Sequence, residues 1–266
     1  AAGWGSLDAD RFNAFVTLDH VRQEPLPARD REFSRTSYLP GFGLDATSGF
    51  SFPANIQQPG GFRGAFNPTV PTTGATDSSC APPLSFPTVL FPLRCQFDYV
   101  PLVDNIAESR KTNVVGRLAW QASADHLLFA EGSWYRGDFV YKTSPTPVSS
   151  FFTNTPMTLP PSSPYYPADF VAGLQGGNPS LPLRLNYRLV ELGPRTNEPE
   201  VEQSRFVAGA QGVVGAWDYA LSAGHTANRQ VDNYTGGFVS EERFGPLLRS
   251  GVVNPFGPNT PEVLEQ

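Results

Sequence analysis

The sequence predicts an all-β protein: an antiparallel transmembrane β-barrel segment, with about five long up-and-down strands and long external loops, incomplete as a barrel. Three observations predict it. Five stretches alternate apolar and polar residues over ten or more positions, about twice the length of a typical soluble strand. Their connections are very short on one side and very long on the other, the asymmetry of outer-membrane barrels. The chain also holds 25 Gly and 27 Pro in 266 residues, and Pro at such close intervals excludes a helical bundle.

The first strand is expected over about 9–22, with Phe12, Ala14, Val16 and Leu18 on one face. Arg11, Asn13, Thr17 and Asp19 take the other, and Phe15 breaks the pattern there. The second, about 111–121, sets Val114, Gly116, Leu118 and Trp120 against Asn113, Val115, Arg117 and Gln121. The third, about 126–141, sets Leu128, Ala130, Gly132 and Trp134 against Phe129, Glu131, Ser133 and Tyr135. The fourth, about 204–214, separates Phe206, Ala208, Ala210 and Gly212 from Arg205, Val207, Gly209 and Gln211. The fifth, about 217–230, separates Trp217, Tyr219, Leu221 and Ala223 from Asp218, Ala220, Ser222 and Gly224.

The external loops are expected over about 23–110, 142–203 and 231–266, so that residues 1–266 form one partial barrel domain. Trp120, Trp217 and Tyr219 sit beside the short turns and Trp134 about eight residues beyond its turn. At about 3.3 Å per residue and a tilt near 45°, that spacing climbs about 20 Å, close to the apolar band between two aromatic girdles. Arg117, Glu131, Arg205, Gln211 and Asp218 would then face the lumen. A soluble sandwich with one wet face is the alternative. An odd number of strands cannot close a bacterial barrel, where an even number is expected. The chain also ends in the loop-like Asn254-Pro255-Phe256-Gly257-Pro258-Asn259. The expectation is therefore an arc of a larger barrel.

The rest of the composition narrows function by exclusion. Net charge is −6 and charged residues make up 17%, so no basic stripe is available for nucleic acid. No run of about 18 apolar residues marks a transmembrane helix. The start, Ala1-Ala2-Gly3-Trp4, shows no signal peptide. Cys80 and Cys95 lie in a polar, Pro-rich stretch and read as a local disulfide of an oxidising compartment; two free thiols are the alternative. No nucleophile elbow, zincin motif, P-loop or EF-hand is present, so no enzyme and no cofactor or metal are expected. His20, His126 and His225 are far apart in sequence and read as rim residues. Phe50, Phe52, Tyr99, Tyr165, Tyr166 and Tyr234 fall in the loops and are candidate aromatic platforms for a ligand.

Several stretches carry a family resemblance. They are Trp4-Gly5-Ser6-Leu7-Asp8-Ala9-Asp10-Arg11-Phe12-Asn13, Arg29-Asp30-Arg31-Glu32-Phe33, and Ser48-Gly49-Phe50-Ser51-Phe52-Pro53-Ala54-Asn55-Ile56. To these add Cys80 with Cys95-Gln96-Phe97-Asp98-Tyr99, Glu191-Leu192-Gly193-Pro194-Arg195, Gly212-Val213-Val214-Gly215-Ala216-Trp217-Asp218-Tyr219, and Asn254-Pro255-Phe256-Gly257. In this order they resemble the barrel of a TonB-dependent outer-membrane receptor, most of all the Oar-like receptors.

The resemblance implies a barrel of about 22 strands closed by a plug, in the outer membrane of a Gram-negative bacterium. Its loops would capture a scarce ligand such as a siderophore, cobalamin, carbohydrate or peptide. Its partners would be outer-membrane lipid, the remainder of the receptor, and TonB-ExbB-ExbD only through the plug. The sequence shows no plug domain, TonB box or C-terminal strand, so by itself it is expected to transport nothing. The alternatives are a secreted soluble β-protein that binds carbohydrate or peptide through aromatic loops, and a truncated gene product with no activity.

Overall fold

A computed structural model describes residues 1–149 and 157–266. The protein is mostly antiparallel β, with 45% strand and 15% helix. It divides into two compact units: residues 1–26, 106–141 and 197–233, and residues 27–105, 142–196 and 234–266.

The first unit is built on a six-stranded sheet of β1 (Ala2–Trp4), β2 (Phe12–Gln23), β3 (Glu108–Gln121), β4 (His126–Thr143), β5 (Arg195–Val214) and β6 (Trp217–Gly236). Spatial order follows chain order, β1 to β6, an uninterrupted up-and-down meander with β1 and β6 at its edges. The second to sixth strands overlie the five expected ones. β1 was not expected, because three residues are too few to show an alternation. β5 starts nine residues before the expected 204. Its first part, Arg195-Thr196-Asn197-Glu198-Pro199-Glu200, is polar on both faces and carries a proline, so it reads as loop.

The pairing register fixes which residues share a face, because directly opposed residues of an antiparallel pair point the same way. Leu118 faces Ala14 on one side and Ala130 on the other; Trp120 faces Phe12 and Leu128; Val114 faces Leu18 and Trp134. Arg117 lies opposite Glu131 on the reverse side.

The short turns are locally specified. Between β1 and β2 the chain makes one helical turn, α1 (Leu7–Asp10), in which the Ser6 N–H donates to the Asp10 carboxylate at 2.9 Å. Arg11 then takes a left-handed φ of 62°, and its guanidinium donates to Gln121 O and Ala122 O at 3.1 and 2.8 Å, tying this turn to the next. In the β3–β4 turn, Gln121 Nε2 donates to Ser123 O at 2.7 Å. Gly215 and Ala216 join β5 to β6, with Gly215 at φ 66°, in the first central position of a two-residue hairpin, which favours glycine.

The second unit consists of the long connections, which fold rather than simply link. Its centre is the strand Leu183–Arg188, flanked antiparallel by Asn55–Gln57, Thr158–Leu159 and Pro147–Val148. Leu183, Leu185 and Tyr187 alternate along it and are fully buried with Ile56, Met157 and Leu159. Three short helices pack around this core or line its cavity: α2 (Ala168–Gly173), α3 (Glu241–Arg249) and α4 (Pro261–Leu264). Val171 of α2 and Phe244 and Leu248 of α3 supply buried side chains.

Candidate functional site

The surface that distinguishes this chain is one face of the first unit's sheet. The register places Phe12, Ala14, Val16, Leu18, Val114, Gly116, Leu118, Trp120, Leu128, Ala130, Gly132 and Trp134 together. Period-two alternation adds Phe206, Ala208, Ala210, Trp217, Tyr219, Leu221 and Ala223. Between the turns and the level of Val114 and Trp134, where Glu202 enters, this face carries no Asp, Glu, Lys or Arg. Its large side chains are nevertheless open: Leu221 is 73% exposed, Leu18 67%, Phe206 56% and Leu118 49%. A contiguous apolar surface of this kind on a protein marks a membrane or protein contact.

Aromatic residues bound the band. Trp217 is 81% exposed and Trp120 51%, both next to the short turns. Tyr219 shares a hydrogen bond with the His126 ring at 3.0 Å, so the phenol is anchored at the turn end. At the other end the Trp134 indole donates to Glu202 at 2.9 Å. Beyond it Arg136 pairs with Asp138 and Glu200 at 3.2 and 3.5 Å. The order along the face is thus aromatic, apolar, aromatic, then charged.

The reverse face is polar and mixed. Glu131 sits between Arg117 and Arg205, with ion-pair distances of 3.4 and 3.6 Å, and Arg117 lies over the Phe129 ring at 5.7 Å. These pairs are partly exposed and worth little individually. Gln211 and Asp218 are exposed. Small residues let the neighbours close in: a Cβ on Gly209 would collide with the Phe129 ring and with Leu221 O, and one on Gly224 with Val207.

In the second unit, Cys80 and Cys95 form the expected disulfide. It is held in a polar network that spacing does not reveal. Asn55 donates to Cys95 O at 2.7 Å and accepts from Cys95 N at 2.9 Å. Asn67, also fully buried, donates to Asn55 Oδ1, Pro53 O and Ala54 O, each at 3.0 Å. Thr69 accepts from Cys80 N at 3.0 Å and donates to Asn67 at 2.7 Å. Arg188 is the other buried polar hub. Its guanidinium donates to Phe50 O, Ser144 Oγ, Pro145 O and Ser48 Oγ, and burial lowers its pKa below the usual arginine value.

The loop aromatics separate into two kinds. Tyr166 is buried; it donates to Leu181 O at 2.6 Å and accepts from Gln58 Nε2 at 3.4 Å. Phe52 packs on the core, 6.3 Å from the Tyr187 ring. Tyr166 is thus closed off, while Phe52 is half-buried with its ring against the core. Phe50, Tyr99 and Tyr165 are half-buried, and Tyr234 is 67% exposed with its ring edge-on to Phe238. His20 bonds to Thr112 at 2.9 Å and His225 is exposed. Among the described residues no group of three or more His, Cys, Asp or Glu is placed to hold a metal ion.

The fold and its surfaces define a class: an antiparallel β protein whose long-stranded sheet exposes an uncharged apolar band on one face. No family model, no curated protein and no solved structure matches the chain.

Proposed function

We propose that the chain is a segment of the barrel of a TonB-dependent outer-membrane receptor. In that reading it is a transport component and not an enzyme, and the whole receptor takes up a scarce ligand across the outer membrane. The observation that carries the reading is the exposed face running from Phe12, Trp120 and Trp217 to Trp134. Water penalises such a face by about 25 cal/mol for every Å2 of apolar surface, whereas lipid does not. The meander with two open edges supports a sheet continued by further strands; barrels abolish edges altogether. The reverse face, with Arg117, Glu131, Arg205, Gln211 and Asp218, then lines the lumen and meets the plug. Ligand contact belongs to the connections, where Tyr234 is the most open of the candidate aromatics.

The self-contained core of the second unit favours one other reading, a secreted soluble β-protein that binds carbohydrate or peptide through its loops. One experiment separates the two. The chain is refolded in buffer and in phosphatidylcholine vesicles, and trypsin protection of β2 to β6 is followed. Protection that requires lipid is expected. A soluble monomer that unfolds cooperatively without detergent and ignores vesicles would overturn the receptor reading.

A further inference from the structure

The reverse face of the first unit's sheet changes character along its length. Near the turns its charged groups are paired, Glu131 with Arg117 and with Arg205. Toward the long connections they are not. There a groove of about 480 Å3 opens on β2 to β5, within the size range of ligand sites. The register builds it in rows. Asp19, Asn113 and Tyr135 stand side by side on β2, β3 and β4, spanning about 10 Å. Val21 and Lys111 occupy the next row, and Ser133 and Gln203 complete the lining. Tyr135 follows Trp134 in β4, so the groove lies behind the far aromatic end of the apolar band.

A glycine sets its aromatic wall. Tyr135 lines the groove, and its ring reaches over Gly137. A Cβ on Gly137 would run into the Tyr135 hydroxyl and the Phe139 ring, so glycine is what lets the Tyr135 ring lie along the sheet. Phe139 is capped by the Lys111 ammonium at 5.5 Å. Beyond it Tyr141 continues the row, its ring within 12° of parallel to Phe139 and the residue 44% exposed. Tyr141 stands about 20 Å from Tyr135 along the strand. Among the described residues, Asp19, Asn113, Ser133 and Gln203 make no side-chain hydrogen bond or ion pair with the protein, and neither does the Tyr135 hydroxyl. Polar groups from four strands thus converge beside one fixed ring, and the fold uses none of them.

The groups select a ligand by what they exclude. Asp19 repels an anion and Lys111 a cation. An apolar molecule would strip water from Asp19, Asn113 and Gln203 and return no hydrogen bond. A peptide pairs its backbone with the edge of a sheet, not with a face whose backbone is already bonded. An amino-acid zwitterion answers Asp19 and Lys111 and leaves Asn113, Ser133 and Gln203 without a partner. A pyranose answers them all. One of its faces is a patch of C–H groups that lies on an aromatic ring, and its rim of hydroxyls both donates and accepts, as the two amides, Ser133 and the carboxylate require. We propose that this groove binds a neutral oligosaccharide, with one pyranose on the Tyr135 ring and its hydroxyls bonded to Asp19, Asn113 and Gln203. A later unit of the same sugar chain rests on Tyr141. The site is distinct from the aromatic candidates in the connections. It stands on the reverse face alone, whichever material covers the opposite face.

Maltohexaose, cellohexaose and chitohexaose are the probes, titrated by calorimetry into the full chain in buffer or in phosphatidylcholine vesicles, whichever folds it. At least one is expected to bind at millimolar concentration or below. Tyr135→Leu, which keeps an apolar side chain and removes the ring, should weaken that binding about tenfold. Tyr135→Phe should retain most of it. Asn113→Ala and Gln203→Ala should each weaken it about three- to tenfold, the value of one hydrogen bond. Trypsin protection of β2 to β6 reports the fold of each variant. Binding of none of the three sugars at millimolar concentration, or binding that ignores Tyr135→Leu, would overturn the proposal. So would binding that is lost in Tyr234→Ala and intact in Tyr135→Leu, which places the sugar in the connections. A chain that ignores vesicles yet binds sugar through Tyr135 would overturn the receptor reading and leave this site standing.

Discussion

In the second unit, Leu183, Leu185 and Tyr187 alternate along a strand and are each no more than 1% exposed. In the first, Leu221, Phe206 and Leu18 alternate along strands just as regularly and are 73%, 56% and 67% exposed. The same pattern therefore has opposite outcomes within one chain. Alternation settles which residues share a face; it does not settle what covers that face. In the second unit the cover comes from the protein itself, through Ile56, Leu159, Val171 and Leu248. In the first nothing among the described residues covers the band; on the receptor reading proposed above, lipid does.

The largest effect expected on this contrast is at the buried strand. Leu185→Ala should cost about 2–5 kcal/mol, the range for a leucine emptied from a packed core. Urea unfolding followed by the near-ultraviolet signal of the second unit's aromatics reads it. A loss under about 1 kcal/mol would mean that this core is not close-packed, and the contrast between the units would collapse.

Next is the open face. Leu118→Arg should disfavour insertion into phosphatidylcholine vesicles by about 2–4 kcal/mol, the depth-dependent cost of a cation facing lipid. Gln211→Arg, on the reverse face, should cost less than about 1 kcal/mol. Protease protection in vesicles measures both. Equal losses would sink the facing assignment. If neither variant matters in vesicles but Leu118→Arg breaks a complex between copies of the chain, the cover is protein and not lipid.

How much of this could be read beforehand depends on how far each signal extends along the chain. β2 to β6 were legible because ten or more alternating residues outlast chance. β1 was not, at three residues, nor was the start of β5, where Glu198, Glu200 and Glu202 lie near Pro199. The buried strand carries the same alternation, Leu183-Arg184-Leu185-Asn186-Tyr187, but only over five residues amid prolines. The connections it belongs to therefore look like loops in the sequence. The meeting of Tyr187, Glu191 and Asn259 is out of reach of the sequence for another reason. Tyr187, Glu191 and Asn259 come from segments up to 72 positions apart, and no motif joins them. Tyr166 packs inward and Phe52 leans on the core, a distinction hidden in the sequence because an aromatic beside a proline looks the same whether it packs inward or outward.

The disulfide ranks third. Cys80 and Cys95 close a loop with a sequence separation of 15, for which loss of the bond is worth about 3 kcal/mol on the loop-entropy account. The double variant Cys80→Ser with Cys95→Ser should lower the thermal midpoint of the second unit and leave insertion of the first into vesicles unchanged. Reduction of the unaltered protein should reproduce the shift. A loss of insertion in the double variant would show that the units do not fold independently, and that the contrast drawn between them is one of surfaces only.

The smallest effect separates two glycines that look alike in sequence. Gly215 holds φ 66° at the β5–β6 turn, and a Cβ built on it meets nothing within 4 Å. Gly215→Ala should thus cost only the left-handed backbone penalty, about 1 kcal/mol. Gly212, three residues earlier, has no such φ, but a Cβ on it runs into Asp125 O and the His126 ring. Asp125 O already accepts from Val213 N at 3.1 Å, so that carbonyl is held and cannot move aside cheaply. Gly212→Ala should therefore cost more than Gly215→Ala, although its backbone suits any residue. Thermal melts of the two variants in vesicles decide it: the opposite ranking would mean that the β3–β4 turn yields and that the tight approach of β5 to it is not what holds this end of the sheet together.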